Sequence, residues 1–429
     1  MKIRSTTTIV PVVLTVLACW AGGALAQSYD AQTRTVRVAP SGSDDTRALA
    51  TAFDVCVAVG PSCTVLLSEG RYFTRQQDVA GFRGTFAGAG MEATVIEPIT
   101  PYQVSPARVD VSVRAPDPGG SPVMFTFRDA DVTVRDVGFV VRDPAPSEPW
   151  FFGDLEIRAL AVILDFEGEH ATVELERVAI DAGPGVTFGA SVFNGVFVLP
   201  SPEQSDATIV ANVRVVESRI RGPLSGIAFG DLETSSVIVR GNVIEAGMAV
   251  EVANAGSSLV EVVGNELSGG DPAVVGLAAA EGRRLSGPTT LLMSGNSVWV
   301  SGNDRSSGLF LEDLGNPPHQ RAIVIDNRFE LDGSLAAVAG DADGAIVRDN
   351  VVTGTAASGL RVGGKSPFSF DGVARPWLVV GNDLSGLEPS GVTGVALRVT
   401  HRSRHSVVVC GEPASVSDGG TATVLLGCE

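Results

Sequence analysis

At 429 residues, with 50 glycines, 44% hydrophobic residues and a formal net charge of −18, the chain can bury a large core yet is acidic overall. A phosphate backbone needs a basic face, so this charge argues against a nucleic-acid partner. Beyond the leading segment no stretch reaches the ~18–20 unbroken apolar residues of a membrane-spanning helix.

The first 26 residues read as a secretory signal. Lys2 and Arg4 form the charged start, Ile9 to Ala18 the apolar stretch, and Ala24-Leu25-Ala26 the small-x-small cleavage site. A secreted or periplasmic protein is therefore expected. Val16-Leu17-Ala18-Cys19 offers a second reading, a lipoprotein box with lipid on Cys19, although leucine directly before the small residue is an unusual fit. Removal of the signal leaves Cys56, Cys63, Cys410 and Cys428. An even number of cysteines in an exported chain favours disulfides. Proximity selects Cys56–Cys63 and Cys410–Cys428, one closing each end of the fold; four buried free thiols are the alternative.

Residues 27–62 contain a strand at Val36-Arg37-Val38-Ala39, then Asp44, Asp45 and Thr46, whose side-chain oxygens suit a helix start. Ala48, Leu49, Ala52 and Phe53 share one face of that helix. Its expected role is to plug the open end of a repeat array, as terminal caps do.

Residues 63–429 are built on one recurring unit: a short strand, a tight corner and a second short strand. Val237 to Ala246 displays it most clearly, and 259–267, 291–298, 345–352 and 378–384 repeat it. The corner position is held in turn by Val137, Val178, Ser218, Asn242, Asn265, Asn296, Asn327, Asn350 and Asn382. Its shortest spacings agree on a period of 23 to 24 residues, and the longer ones carry inserted loops. Three residues before the corner, and again two after it, every position is apolar, whereas the residue directly after it is mixed and largely polar. Alternation of this kind points the first two columns inward and the third outward. A third strand follows each corner, as at Gly226 to Phe229, Ala249 to Val252, Gly308 to Leu311, Gly359 to Val362 and Gly394 to Leu397. Three strands per coil specify an all-β chain, a right-handed parallel β-helix with a short N-terminal capping helix. About eleven coils stacked 4.7–4.9 Å apart would make a rod on the order of 50 Å long. Asn suits the corner because it tolerates a left-handed backbone and its amide can bond the next coil.

The Asn-cornered repeat resembles the pectate-lyase-like β-helix superfamily, and the resemblance spans nearly the whole chain after the signal. Ser43 to Phe53, together with Gly81 to Gly90 and Thr94-Val95-Ile96, is similar to the start of many secreted bacterial members. The resemblance implies polysaccharide as the ligand class. It does not name a reaction, because the fold hosts lyases, hydrolases, esterases, epimerases and adhesins. The catalytic motifs of those enzyme groups are missing from this sequence.

A site without a known motif should lie on a lateral face, where outward columns align. On the third-strand face the outward residues are read as Ala228, Glu251, Gly276, Phe310 and Arg361, with Glu312 and Asp313 at one strand's end. Glu251 and Glu312, two coils and about 10 Å apart over a Gly276 floor, would suit an inverting glycosidase. Arg361 could neutralise a uronate or act on its α-proton. Solvated charges on a rod are the plainer reading. Phe310, Asp313 and Trp299 are the candidate substrate contacts. Trp299 stands three after its corner, in an outward column with Asp181, Arg221, Glu245, Ser268 and Glu330, whereas Trp377 falls in an inward register and reads as core. No metal site or cofactor is expected: Asp341-Ala342-Asp343-Gly344 opens like a calcium loop but lacks the later carboxylates. The expected partner is a polysaccharide at the cell surface, bound by a monomer. The alternatives are a polysaccharide lyase or glycoside hydrolase acting on an acidic polysaccharide, and a structural or adhesive surface protein.

Overall fold

The computed structural model describes residues 27–426 except 100–122, 142–149, 153–154, 158–159, 183–191, 201–207, 223–224, 254, 270–272, 279–286, 303–305, 314–319, 341–343, 363–375, 391–394, 400–405, 411–415 and 419–422. The expected signal segment, the Cys19 lipid site and Cys428 lie outside these residues.

The chain enters through an antiparallel pair, Gln27–Asp30 with Thr35–Val38. The helix Thr46–Val59 follows and buries Leu49, Ala52, Phe53 and Cys56. Phe53 fills the end of the core. Its ring lies 5.1 Å from Phe86, 5.2 Å from Phe82, 5.9 Å from Phe127 and 6.2 Å from Phe125, all edge-on. Edge-to-face aromatic pairs contribute about 0.5–1.5 kcal/mol each beyond their buried area, so this one residue ties the cap to two strands, Arg83–Ala87 and Val123–Arg128, and to Phe82 just before the first of them. Asp45 does not cap the helix through its side chain as expected. Its carboxylate instead accepts the backbone N–H groups of Ser41 at 2.8 Å and Phe73 at 3.0 Å, which fastens the helix start to the first coil. Cys56 and Cys63 form a disulfide between the helix's last turn and the first parallel strand, Cys63–Leu67. Cys410 is disulfide-bonded as well.

From Cys63 onward most coils contribute three strands, one before the corner, one after it and a third; in the coils of Val137 and Val178 the first two are one continuous strand, Asp131–Val141 and His170–Ala182. The first two belong to a single 24-stranded sheet, and the third strands stack into a separate sheet of twelve, from Gln77–Ala80 to Val416–Asp418. Successive strands pair in parallel, for example Ser236 with Leu259 and Val239 with Val262, or Arg219 with Val243 and Arg221 with Glu245. All nine residues three before the corner, from Val134 to Val379, are at most 3% exposed. Two after the corner the column from Phe139 to Val352 is equally dry, and only Leu384 at its end is partly open. Each such side chain contributes about 1.5–3 kcal/mol by burial, which makes these two columns the main adhesive of the stack.

The corners are hydrogen-bonded in series. Each Asn from Asn242 to Asn350 donates from Nδ2 to the Oδ1 of the next Asn at 2.8–3.0 Å. The same Oδ1 also accepts the preceding Asn's backbone N–H at 2.9–3.1 Å. A second Nδ2 bond reaches a main-chain carbonyl of the coil before, such as Val215 for Asn242 and Val262 for Asn296. The left-handed residue of the corner is not the Asn, as the sequence suggested, but the residue before it: Gly241, Gly264, Gly295, Asp326, Asp349 and Gly381, with φ between 55° and 66°. The glycines take this φ without steric cost. Ser218 extends the ladder by one rung, accepting the Val178 N–H at 3.1 Å and donating its own N–H to Asn242. A shorter series of hydroxyls runs along another bend, where Ser235 accepts the Ala211 N–H and Ser258 accepts the Ser235 N–H. Ser235 and Ser258 each stand seven residues before their corner, Asn242 and Asn265.

On the outer face of the strands before the corner, one register line changes character along the rod. It starts Thr133, Glu174, Arg214 and ends Leu292, Ile323, Ile346, Leu378, Val407, Val424. Ile346 and Leu378 are each 40% exposed and Val424 47%.

Candidate functional site

The third-strand face, where the sequence placed catalytic candidates, has its outward column in the register Asp165, Phe197, Ala228, Glu251, Val275, Phe310, Ala339, Arg361 and Arg398. Ala228, Glu251, Phe310 and Arg361 do share this column. Gly276 does not: it pairs with Val252 and Leu311 on the inward side, and Val275 takes the place assigned to it. A one-residue slip in a strand exchanges its faces, and nothing in this strand marks the register as Asn does at the corner. Glu312 pairs with Leu277, which pairs with Ala253, so it sits two residues farther along than the Glu251 column. Two rungs and two residues put the Glu251 and Glu312 Cα atoms about 12 Å apart, and four rungs put Arg361 about 19 Å from Glu251. The three residues therefore do not converge on one reacting atom.

Among the residues whose side chains are described, this outward column is also covered from Asp165 to Ala339, while Arg361 and Arg398 are half-buried. Asp165 is 0% exposed, Phe310 3% and Glu251 7%, and Glu251 accepts a hydrogen bond from the Ser225 hydroxyl at 3.0 Å. Phe310 packs with Leu335, Ala336 and Ala339 in a small apolar cluster of its own, which makes it a packing residue in this structure and not an open platform. Asp313 ends the strand Ser307–Asp313. The side chains of Glu312 and Asp313 lie outside the described residues.

The strands after the corner carry an open face, and here two outward columns lie side by side. One runs Arg219, Val243, Glu266, Ser297, Arg328, Val351 and Asp383, the other Asp181, Arg221, Glu245, Ser268, Trp299, Glu330 and Thr353. Between them lies a groove of about 470 Å³, lined by Glu245, Glu266, Ser268, Ser297, Trp299, Arg328 and Glu330 with three neighbouring apolar residues. Trp299 is its wall and is 45% exposed. Its neighbour in the preceding rung is Ser268 and the residue beside it in the rung is Ser297, so small side chains floor the groove next to the indole. Trp377, by contrast, is 2% exposed and belongs to the core, as its inward register predicted.

Charge surrounds the indole on both sides. Toward the N-terminal end Glu245 is held by Arg221 at 3.3 Å. One rung earlier Arg219 bridges Asp181 at 2.7 Å and Glu92 at 2.6 Å, and the hydrogen bond to Asp181, then that to Glu92, raises its pKa further above the ordinary arginine value. These pairs fix the upstream end of the face. Glu266, Arg328 and Glu330 form no ion pair among the described residues. Their exposed heads keep their hydrogen-bonding capacity for a ligand: carboxylate acceptors from Glu266 and Glu330, and guanidinium donors from Arg328. The separate members of the groove were readable from the two outward columns. What the sequence reading lacked was the lateral adjacency of those columns, which joins Glu266 and Arg328 to Trp299.

Among the described residues no group of three His, Cys, Asp or Glu side chains could hold a metal ion. Three residues of the Asp341–Gly344 stretch lie outside them. No helix of the described residues is long and apolar enough to cross a membrane.

No protein-family description matches the chain, and no curated protein does. Solved structures do resemble it. The Agl-KA catalytic domain is 14% identical, with 91% of this chain and 67% of that one covered and a TM-score of 0.51. The surface adhesin PfbA of Streptococcus pneumoniae is 8% identical, with 86% and 89% covered and a TM-score of 0.48. The A-module of the Azotobacter vinelandii mannuronan C-5 epimerase AlgE4 is 14% identical, with 90% and 96% covered and a TM-score of 0.43. At such identities likeness speaks for architecture alone, and of these three only the first is close enough to count. With the parallel register and the Asn ladder, it shows the chain to be a right-handed parallel β-helix.

Proposed function

We propose that this β-helix binds a polysaccharide along the outer face of its post-corner strands, with Trp299 stacking on a sugar ring. The observation that carries the reading is the exposed indole beside a serine floor, flanked by Glu266, Arg328 and Glu330 with no ion pair among the described residues. An apolar ring face for stacking and polar heads for hydroxyls are the two things a sugar requires of a surface. The disulfide at Cys56–Cys63 and the expected signal segment suit a protein that works outside the cytoplasm, as a monomer at or near the cell surface. The reading needs no cofactor or metal. A lyase or hydrolase centred on Glu251, Glu312 and Arg361 is the less economical proposal, because the register spreads these residues over about 19 Å.

A glycan array with wild type and Trp299→Ala tests the proposal. Wild type is expected to bind a defined subset of glycans. Loss of an aromatic anchor costs about 2 kcal/mol or more, so the variant should bind about thirtyfold more weakly. Equal binding by both proteins would remove Trp299 from the site, and no binding by wild type would remove the function.

A further inference from the structure

Resting on that reading, we infer that the glycan is a neutral, hydroxyl-rich polymer and that a polyuronate is rejected. The charge on this face is lopsided. From Val243 onward its outward positions carry Glu245, Glu266, Glu330, Asp332, Asp383 and Glu388, against Arg328 as the one cation among the described residues. Glu245 is neutralised by Arg221, but none of the other five carboxylates has an ion pair among the described residues. Asp332, which pairs with Ser301 and Thr355, and Glu388, which pairs with Thr355, continue the face past Trp299. A chain laid across the rungs from Trp299 therefore runs onto carboxylates.

A chain with a carboxylate on each sugar would place like charges beside these groups, without the arginine rows that clamp anionic polymers. The formal net charge of −18 adds a repulsive long-range field. A neutral chain meets no such penalty. Each carboxylate can accept hydrogen bonds from hydroxyls while the indole covers a ring face, and charge-assisted bonds of this type are stronger than neutral ones. Arg328 sits two rungs from Glu266 in the same column, with Ser297 between them, about 10 Å across the groove. It supplies donors to ring or linkage oxygens on the far side.

The experiment measures affinity for three hexamers, a neutral hexose, a hexuronate and a glucosamine oligomer, at low and at physiological salt, for wild type and for the Glu266→Gln/Glu330→Gln double variant. Wild type should bind the neutral hexamer with an affinity that salt leaves unchanged, and bind the hexuronate at least tenfold more weakly. Removing two carboxylates relieves two like-charge contacts and should raise hexuronate binding about thirtyfold. The double variant replaces two charge-assisted acceptors by weaker amide ones and should bind the neutral hexamer about tenfold more weakly, so its preference for the neutral hexamer over the hexuronate narrows from both sides. Two outcomes would overturn the inference: wild-type preference for the hexuronate, or preference for the glucosamine oligomer with steep salt dependence. Failure to bind any hexamer would strike the proposed function itself, which keeps the two failures distinct.

Discussion

The first coils and the last coils share one backbone plan but are held together by different chemistry. Near the N-terminus the corner positions are Val137 and Val178, buried apolar side chains, and the adjoining core is filled by Phe53, Phe82, Phe86, Phe125 and Phe127. The left-handed corner residues there are Asp136, Arg177 and Glu217, which carry a backbone conformation that costs a non-glycine residue about 1 kcal/mol or more. Partial compensation comes from Arg177, whose Nε donates to Asp136 at 2.7 Å and whose guanidinium also pairs with Glu176. From Asn242 onward the corner is an amide ladder, the core side chains are mostly aliphatic, and the left-handed position is Gly or Asp. The same corner can thus be filled by greasy packing or by hydrogen bonds, and the choice follows what the core beside it contains. The open groove belongs to the amide-laddered half, where identical rungs keep two outward columns in register.

The largest effect that would test this contrast is Phe53→Ala. Truncating a fully packed aromatic costs about 3–5 kcal/mol, and in a repeat protein that loss falls on the neighbouring coils first. Hydrogen exchange should show the strands 63–98 opening while 236–362 keep their protection; uniform loss of protection would mean that the array is one cooperative unit. Asn296→Ala is the counterpart in the other half. It leaves the Asn265 N–H and Nδ2 without their acceptor and the Val262 carbonyl without a donor. Unsatisfied buried groups cost about 1–3 kcal/mol each, so a loss of about 3 kcal/mol confined to the laddered coils is expected in denaturant unfolding. Ser218→Asn sharpens the boundary between the two. Its hydroxyl already accepts the Val178 N–H, so the change should alter stability by less than about 1 kcal/mol. A larger gain would show that the ladder was broken there for reasons other than packing.

The smallest effect is a pH dependence at the cap. Hydrogen bonds from the Thr46 side chain, then from its backbone N–H, hold the Asp44 carboxyl below its ordinary value of 3.8. A depressed folded value contributes stability above pH 3.8 that is lost as the pH falls through the lower folded value. Wild type should therefore lose protection in 46–59 on acidification below that range, and Asp44→Asn should lack this component, a difference of a few tenths of a kcal/mol for so exposed a group.

Much of the fold was legible because one residue type marks one position. Asn242 to Asn382 fix the corner, and once the corner is fixed the columns on either side follow by counting. The inward place of Trp377 follows from the same count, whereas the capping helix was legible from the shared face of Ala48, Leu49, Ala52 and Phe53, and the Cys56–Cys63 pair from proximity. The third strands have no such marker, so Gly276 was assigned to the Glu251 column when the register puts Val275 there. Nor can a periodic pattern reveal that the outward column there, with Glu251 and Phe310, is buried. Burial of an outer face depends on what lies over it, a tertiary fact with no local signature. At the groove, the sequence identified Trp299 and its column. It did not join that column to Glu266, Ser297 and Arg328, because lateral distance between columns is a property of the sheet and not of the repeat.

The most direct test follows the indole N–H resonances of 15N-tryptophan-labelled protein while a neutral oligosaccharide is added. Trp299→Phe assigns the signal, and Trp377, being buried, serves as the internal control. The Trp299 resonance should shift and saturate with the same dissociation constant that calorimetry gives, while Trp377 stays in place. Saturable binding that leaves the Trp299 resonance unmoved would contradict the account.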